Sequence, residues 1–213
     1  MISLPAPRLN GPMSVEEAVY QRRSVQSSFL GDTLSLEDLS QLLWAAQGVT
    51  DPSEEPPAGL RSEWMGGHRT APSAGGLYPL EVYALVVSVE SLDPGFYGYV
   101  PAAHALEVVA REDLRDALWE AALRQTRIRE APLTLVFAAV IARTAARYGD
   151  RAERYVHIEV GSAAENVYLQ VEPLGLGTRF MGAFDDDAVR EVLGLPEDQD
   201  VFGIMPVGRT SPG

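Results

Sequence analysis

Apolar positions along the chain fall into two periods. Leu36, Leu39, Leu42, Leu43 and Ala46 repeat at helical spacing behind Ser35-Leu-Glu-Asp38, a helix-start pattern, and Gly48 follows as a C′ stop. Ser14-Val-Glu-Glu17 carries the same signal and predicts a short helix to about Gln21, with Ser14 accepting an early backbone N–H and Glu17 reaching back. Leu114, Ala117, Leu118, Ala121 and Ala122 line one side of an amphipathic segment over 112–123. A longer helical pattern over about 150–173 carries Val160, Ala163, Ala164 and Val167 and closes at Leu174-Gly-Leu-Gly177. Its small residues suit close approach by another helix or a subunit.

Strand patterns occupy the intervals. A buried strand is expected over 80–89, and a hairpin over 96–99 and 104–109 turning at Pro101. The most apolar strand, over 133–141, should be central, and short extended pieces follow over 178–180 and 201–207. The run Asp185-Asp-Asp187 reads as a helix start, where carboxylates cap the first turn, rather than as a metal site. Between about 51 and 67 the composition turns to Pro, Glu and Gly, a loop or lid insertion whose large apolar residues after Leu60 are Trp64 and Met65. No repeat or linker divides the chain, so residues 1–213 are expected to form a single domain.

Composition narrows the chemistry. The net charge is −13, carried by 30 acidic residues against 17 arginines and no lysine, which excludes nonspecific binding to nucleic acid or anionic membranes. An anionic ligand must be held by local arginines. With no cysteine there is no thiol nucleophile or thiolate site, and with no lysine no Schiff base and no Walker phosphate lysine. The start lacks the apolar core of a signal peptide, and the longest apolar run, 133–142 with Thr134 inside it, is too short to span a bilayer, so a cytoplasmic protein is expected.

Several motifs fail on inspection. Neither Gly75-Gly76 nor Gly175-Leu-Gly177 completes a dinucleotide fingerprint. Ser73 lacks the first glycine of a nucleophile elbow. His157-Ile-Glu159 has no cysteine pair to complete a zinc-deaminase site, and His68, His104 and His157 are too scattered to argue for a metal. What remains is Arg22-Arg23-Ser24, the loop Arg69-Thr-Ala-Pro-Ser-Ala-Gly-Gly-Leu-Tyr-Pro, and Gly208-Arg209. Arginine forks and hydroxyls suit a phosphate monoester, and a glycine-rich backbone suits a flat ring. By itself the arginine pair also reads as a match to the negative end of a helix dipole, and the loop as an ordinary turn.

Taken together and in this order, these segments resemble the nitroreductase-like flavoprotein family, and within it the SagB-type dehydrogenases. The resemblance extends to Leu43-Trp-Ala-Ala-Gln-Gly-Val-Thr50, Leu80-Glu-Val-Tyr83, Tyr97-Gly-Tyr99, Asn166-Val-Tyr-Leu169, Gly175-Leu-Gly177, Gly182 and Pro206-Val-Gly-Arg209, and so covers nearly the whole chain.

The resemblance implies an α+β fold, a central mixed sheet flanked by helices, in an intertwined homodimer with FMN at the subunit interface. It implies that Arg22, Arg23, Ser24 and Arg209 with Gly208 hold the phosphate and ribityl end, with Gln26 contributing. Pro72, Ser73, Ala74, Gly75 and Gly76 would line the flavin from the partner subunit, and Met181-Gly182 would offer a backbone N–H near flavin N5. Trp64, Met65 and Tyr78 would wall the substrate space. The implied activity is passage of hydride equivalents through FMN between NAD(P)H or an organic donor and a small-molecule acceptor; no side chain is singled out as catalytic. Two alternatives accompany it, a flavin-binding sensor or partner protein without turnover and an azoline-forming peptide dehydrogenase. The latter uses a Lys-Tyr pair that a lysine-free chain cannot supply.

Overall fold

A computed structural model of the chain describes residues 1–51 and 67–210. In chain order the elements are β1 (Ile2–Ser3), α1 (Val15–Gln21), α2 (Leu36–Gln47), β2 (Val49–Asp51), β3 (His68–Arg69), β4 (Leu80–Val86), β5 (Gly95–Val100) and β6 (Ala105–Ala110). There follow α3 (Arg115–Ala121), α4 (Thr126–Glu130), β7 (Leu133–Ala139), α5 (Ile141–Tyr148), α6 (Ala152–Leu174), β8 (Gly177–Thr178), α7 (Asp186–Leu193) and β9 (Asp200–Gly208). Seven strands form one sheet in the order β1-β6-β5-β4-β7-β9-β8, and β2 and β3 form a separate pair. Every ladder is antiparallel, and parallel pairing enters through the isolated bridges Ser24↔Thr178 and Leu34↔Val89. The fold is α+β, as the resemblance implies.

Alternation along the strands explains the layers. Val82, Ala84 and Val86 of β4 and Leu133, Leu135 and Phe137 of β7 face a core built with Leu39, Leu42, Leu43, Val160, Ala163 and Val167 of α2 and α6. The intervening Tyr83, Leu85, Val136 and Ala138 face a second core with Leu118, Ile128, Val189 and Leu193 of α3, α4 and α7. Because both faces are covered, β7 is buried at every position, which is why its sequence is apolar but for Thr134.

Local chemistry sets the helix ends. Ser14, Ser35 and Asp185 accept the backbone N–H of Glu17, Asp38 and Ala188, so the acidic run at 185–187 caps α7. The Glu17 carboxylate accepts from Gln21 instead of reaching back, so only half of the expected capping box forms. Gly48 ends α2 in an extended conformation, not a left-handed one. A side chain there is excluded because its Cβ would stand 2.1 Å from Trp44 Cδ1. The apolar run continued by Val140 and Ile141 hides the start of α5, and α4 is too short to show a period. Neither helix is evident in the sequence. The expected 80–89 strand leaves the sheet after Val86. Among the described residues no helix is long and apolar enough to cross a membrane.

Candidate functional site

Strand β8 gathers the first group of expected site residues. Ser24 pairs with Thr178, Val25 donates its N–H to the Thr178 carbonyl, and on the other side Thr178 and Gly177 pair with Val207 and Gly208. Residues 22–26, 177–178 and 207–209 therefore meet at one edge of the sheet. Beneath them Tyr168 of α6 places its hydroxyl 3.0 Å from Ser24 Oγ and accepts the Phe180 N–H at 2.7 Å. The Arg22 guanidinium lies 5.1 Å from the Tyr168 ring centre and 4.0 Å from Glu165. Arg209 donates to the Thr33 carbonyl at 3.2 Å and stands 3.8 Å from Asp38.

Two arginines change places in this picture. Arg23 turns back to donate to the carbonyls of Tyr20, Gln21 and Arg22, so it caps α1 and does not face the cluster. Arg179, which the sequence reading passes over, has a buried Nε without a partner one residue beyond Thr178. Its only sequence signal is its place between β8 and Met181. Tyr168 is likewise missed, although it lies in the Asn166-Val-Tyr-Leu169 segment. Gln26 is exposed beside Val25.

Met181 sits further along the same edge, exchanging backbone hydrogen bonds of 2.9 and 3.0 Å with Ile204, and Gly182 is exposed just past it. Close approach is built in here, because a Cβ on Gly203 would stand 2.2 Å from the Phe180 ring.

The 72–76 loop is closed at its base by a clamp. Arg69 donates its backbone N–H to the Tyr78 hydroxyl at 3.3 Å and lays its guanidinium 4.4 Å from the Tyr78 ring centre, while Tyr78 N–H donates to Ser73 Oγ at 2.9 Å. Gln47 accepts from Arg69 Nη1 at 2.9 Å, and Asn166 donates to the Thr70 carbonyl. Gly75 and Gly76 have φ of +65° and +67°, and a Cβ on Gly75 would stand 2.8 Å from the Tyr148 hydroxyl and 3.0 Å from Arg147 Nη1. Tyr78 is only 4% exposed. Its ring is used inside the clamp instead of standing open to a substrate. Trp64, Met65 and nearly all of the expected 51–67 lid lie outside the described residues.

Glu159 of α6 is buried, 2% exposed. Burial raises its carboxyl to about 7, against the opposing pull of the Ser73 hydroxyl and Arg69. Burial likewise lowers Arg69, partly countered by Glu81, Tyr78 and Glu159.

Within one chain Val207 and Pro79 lie at opposite ends of β7, while α6 reaches both groups through Asn166 and Tyr168. Val207, at the Ser24 end, pairs with Leu133, whereas Pro79 accepts from Val140 N–H at the opposite end of β7. Seven residues of strand separate them by roughly 20 Å. A cavity of about 360 Å³ between residues 8–15, α2 and α6 contains none of the expected site residues. His104 contacts Ser40, the Pro5 carbonyl and Tyr99, and His157 packs edge-on against Phe202.

The family model "Nitroreductase family" matches residues 19–209. MJ1384 of Methanocaldococcus jannaschii, named as a nitroreductase, is 42% identical over 197 residues, 92% of this chain and 91% of its own length. The microcin B17-processing protein McbC of Escherichia coli is 26% identical over 169 residues, 77% of this chain and 58% of that protein. A crystal structure of a Ralstonia eutropha JMP134 protein described as a nitroreductase superimposes with a TM-score of 0.82 at 31% identity, covering 100% of this chain and 90% of that one. With the β8-edged sheet and the clamped 72–76 loop in place, these matches make the conclusion plain: the chain belongs to the nitroreductase family.

Proposed function

We propose that the protein is an FMN-dependent oxidoreductase, of the SagB type, that works as a homodimer in the cytoplasm. The carrying observation is the edge where Ser24, Arg22 and Arg209 converge on β8 beside the unpartnered Arg179 Nε. That donor set fits a phosphate monoester: guanidinium forks and a hydroxyl held in place by Tyr168. Arg22, Ser24, Arg179 and Arg209 would hold the phosphate end of FMN, and the backbone at Met181-Gly182 would border its ring. Bound there, the cofactor would supply hydride transfer between NAD(P)H or an organic donor and a small-molecule acceptor. A second copy would bring its own 72–76 loop across to the flavin, as the resemblance implies. The chain has no lysine, so azoline oxidation through a Lys-Tyr pair is not part of the reading.

The test is direct. Purified protein should carry, or take up, a flavin spectrum with FMN, and anaerobic NADH or NADPH should bleach it. A protein that stays colourless with added FMN would refute the reading. One that binds FMN but is reduced by no donor would be a flavin carrier or sensor. A stable monomer with full FMN affinity would overturn the shared site.

A further inference from the structure

Arg147 and Tyr148, the last two residues of α5, reach the backbone of the 72–76 loop. A Cβ on Gly75 would stand 2.8 Å from the Tyr148 hydroxyl and 3.0 Å from Arg147 Nη1, so the two polar ends converge on one point beside the loop. Neither is engaged elsewhere. Among the described residues the Arg147 guanidinium makes no ion pair or hydrogen bond, and the Tyr148 hydroxyl makes no hydrogen bond. Both side chains are nonetheless held in place. The Tyr148 ring meets the Tyr155 ring of α6 edge-on with centroids 4.9 Å apart, and the Arg147 guanidinium carbon lies 5.5 Å from the centre of the Tyr148 ring.

The charge around this point runs against the rest of the molecule. The chain carries −13, yet four of its 17 arginines fall within 143–154, against two carboxylates, Asp150 and Glu153. Arg143 is occupied by Glu81 at 2.6 Å and by the Tyr78 carbonyl, and Glu153 stands 3.9 Å from His157. Asp150, Arg151 and Arg154 are exposed and form no ion pair among the described residues. Exposed arginines elsewhere, such as Arg124 and Arg129, pair with Glu120 and Asp116. Arg147 is exposed and does not.

We propose that Arg147, together with the Tyr148 hydroxyl, determines specificity by selecting substrates that bear an anionic oxygen group, a carboxylate or a phosphate, for the ring that the 72–76 loop would line. The inference rests on the flavin reading for what lies on the loop, while capture of the anion is decided separately. A guanidinium offers parallel N–H donors to two oxygens of one carboxylate or phosphate, and the phenol adds an O–H donor. A neutral isostere gives the guanidinium no charge to meet. Local positive charge on an acidic molecule also draws an anion to that place, an attraction that salt weakens. Glycine at 75 keeps the two donors against the loop, since a side chain there would displace them. Both belong to the same chain as the loop, so they accompany it to whichever subunit's flavin it lines.

The experiment sets matched probes against the FMN-loaded protein: benzoate against benzamide, and NADP⁺ against NAD⁺, which differ by one phosphate. Affinity is read from the flavin absorbance and from the Arg147 Nε–H signal in nitrogen-15 spectra, which needs no flavin. In the wild type the anionic member of at least one pair should bind about ten-fold tighter and shift the Arg147 signal. Arg147→Gln should bring the two members within about two-fold, and Tyr148→Phe should reduce the preference about three-fold. A response to benzoate assigns the anion to a carboxylate-bearing substrate, and a response to NADP⁺ assigns it to the phosphate of a nicotinamide donor. Equal binding within both pairs, or a preference that survives Arg147→Gln, overturns the proposal. So does an equal loss in Arg154→Gln, which would trace the preference to the general charge of the segment. A protein that takes up no FMN refutes the flavin reading, while the Arg147 signal still decides whether the anion is captured.

Discussion

The hydroxyls of Ser24 and Tyr168, 144 residues apart in sequence, lie 3.0 Å from one another. The same tyrosine oxygen accepts the Phe180 N–H, so one buried group fixes both the first residue bridged to β8 and the turn that leads from β8 to Met181. Tyr168→Phe keeps the ring and removes the bridge. It should lower stability by about 1–2 kcal/mol in thermal or urea unfolding, since it strands the Phe180 N–H, and should weaken FMN retention about ten-fold. Unchanged retention would show that Ser24 needs no such support.

The arginines separate by geometry. Arg22→Ala with Arg209→Ala should abolish FMN retention on gel filtration, and Arg179→Ala should weaken it. Arg23→Ala should leave it within about two-fold and cost under about 1 kcal/mol of stability, because that guanidinium caps α1. A strong flavin defect in Arg23→Ala would reverse the assignment.

Glu159 predicts a pH dependence of stability with a definite sign. Its folded value of about 7 lies above the unperturbed 4.5, so between those values the folded state binds more protons than the unfolded state. Its contribution is complete below about 4.5 and is lost as pH rises through about 7, a fall on the order of 3 kcal/mol. Urea unfolding at pH 5 and pH 8 should show that fall in the wild-type apo-protein. In Glu159→Gln the difference should shrink by the same amount.

Gly203 tests the packing behind Met181. A methyl group there would stand 2.2 Å from the Phe180 ring, which is itself packed against Phe137. Gly203→Ala should destabilise by about 1–3 kcal/mol and broaden the amide signals of 180–182 in NMR spectra, because the ring must move and take the turn with it.

Much of the architecture was legible in the chain. Ser14, Ser35 and Asp185 are caps because short polar side chains before an apolar period satisfy free backbone N–H groups. The strands at 80–86 and 133–139 follow from apolar runs that only a sheet covered on both faces can bury. The helices at 126–130 and 141–148 were not legible, the first for its length and the second because its apolar start continues a strand.

The site divides in the same way. Its residue types, arginines, hydroxyls and paired glycines, were evident from sequence, since their chemistry belongs to the side chains themselves. Which of them meet was decided by tertiary structure alone. The pairing of β8 with residue 24 on one side and β9 on the other brings Arg22, Ser24 and Arg209 to one edge with Tyr168 beneath, while Arg23 turns back onto α1. Burial on the inner face of α6 turned Glu159, half of a failed zinc motif in sequence, into a carboxyl raised to about 7. Depth and neighbours set its proton affinity, and neither is written in the order of the residues.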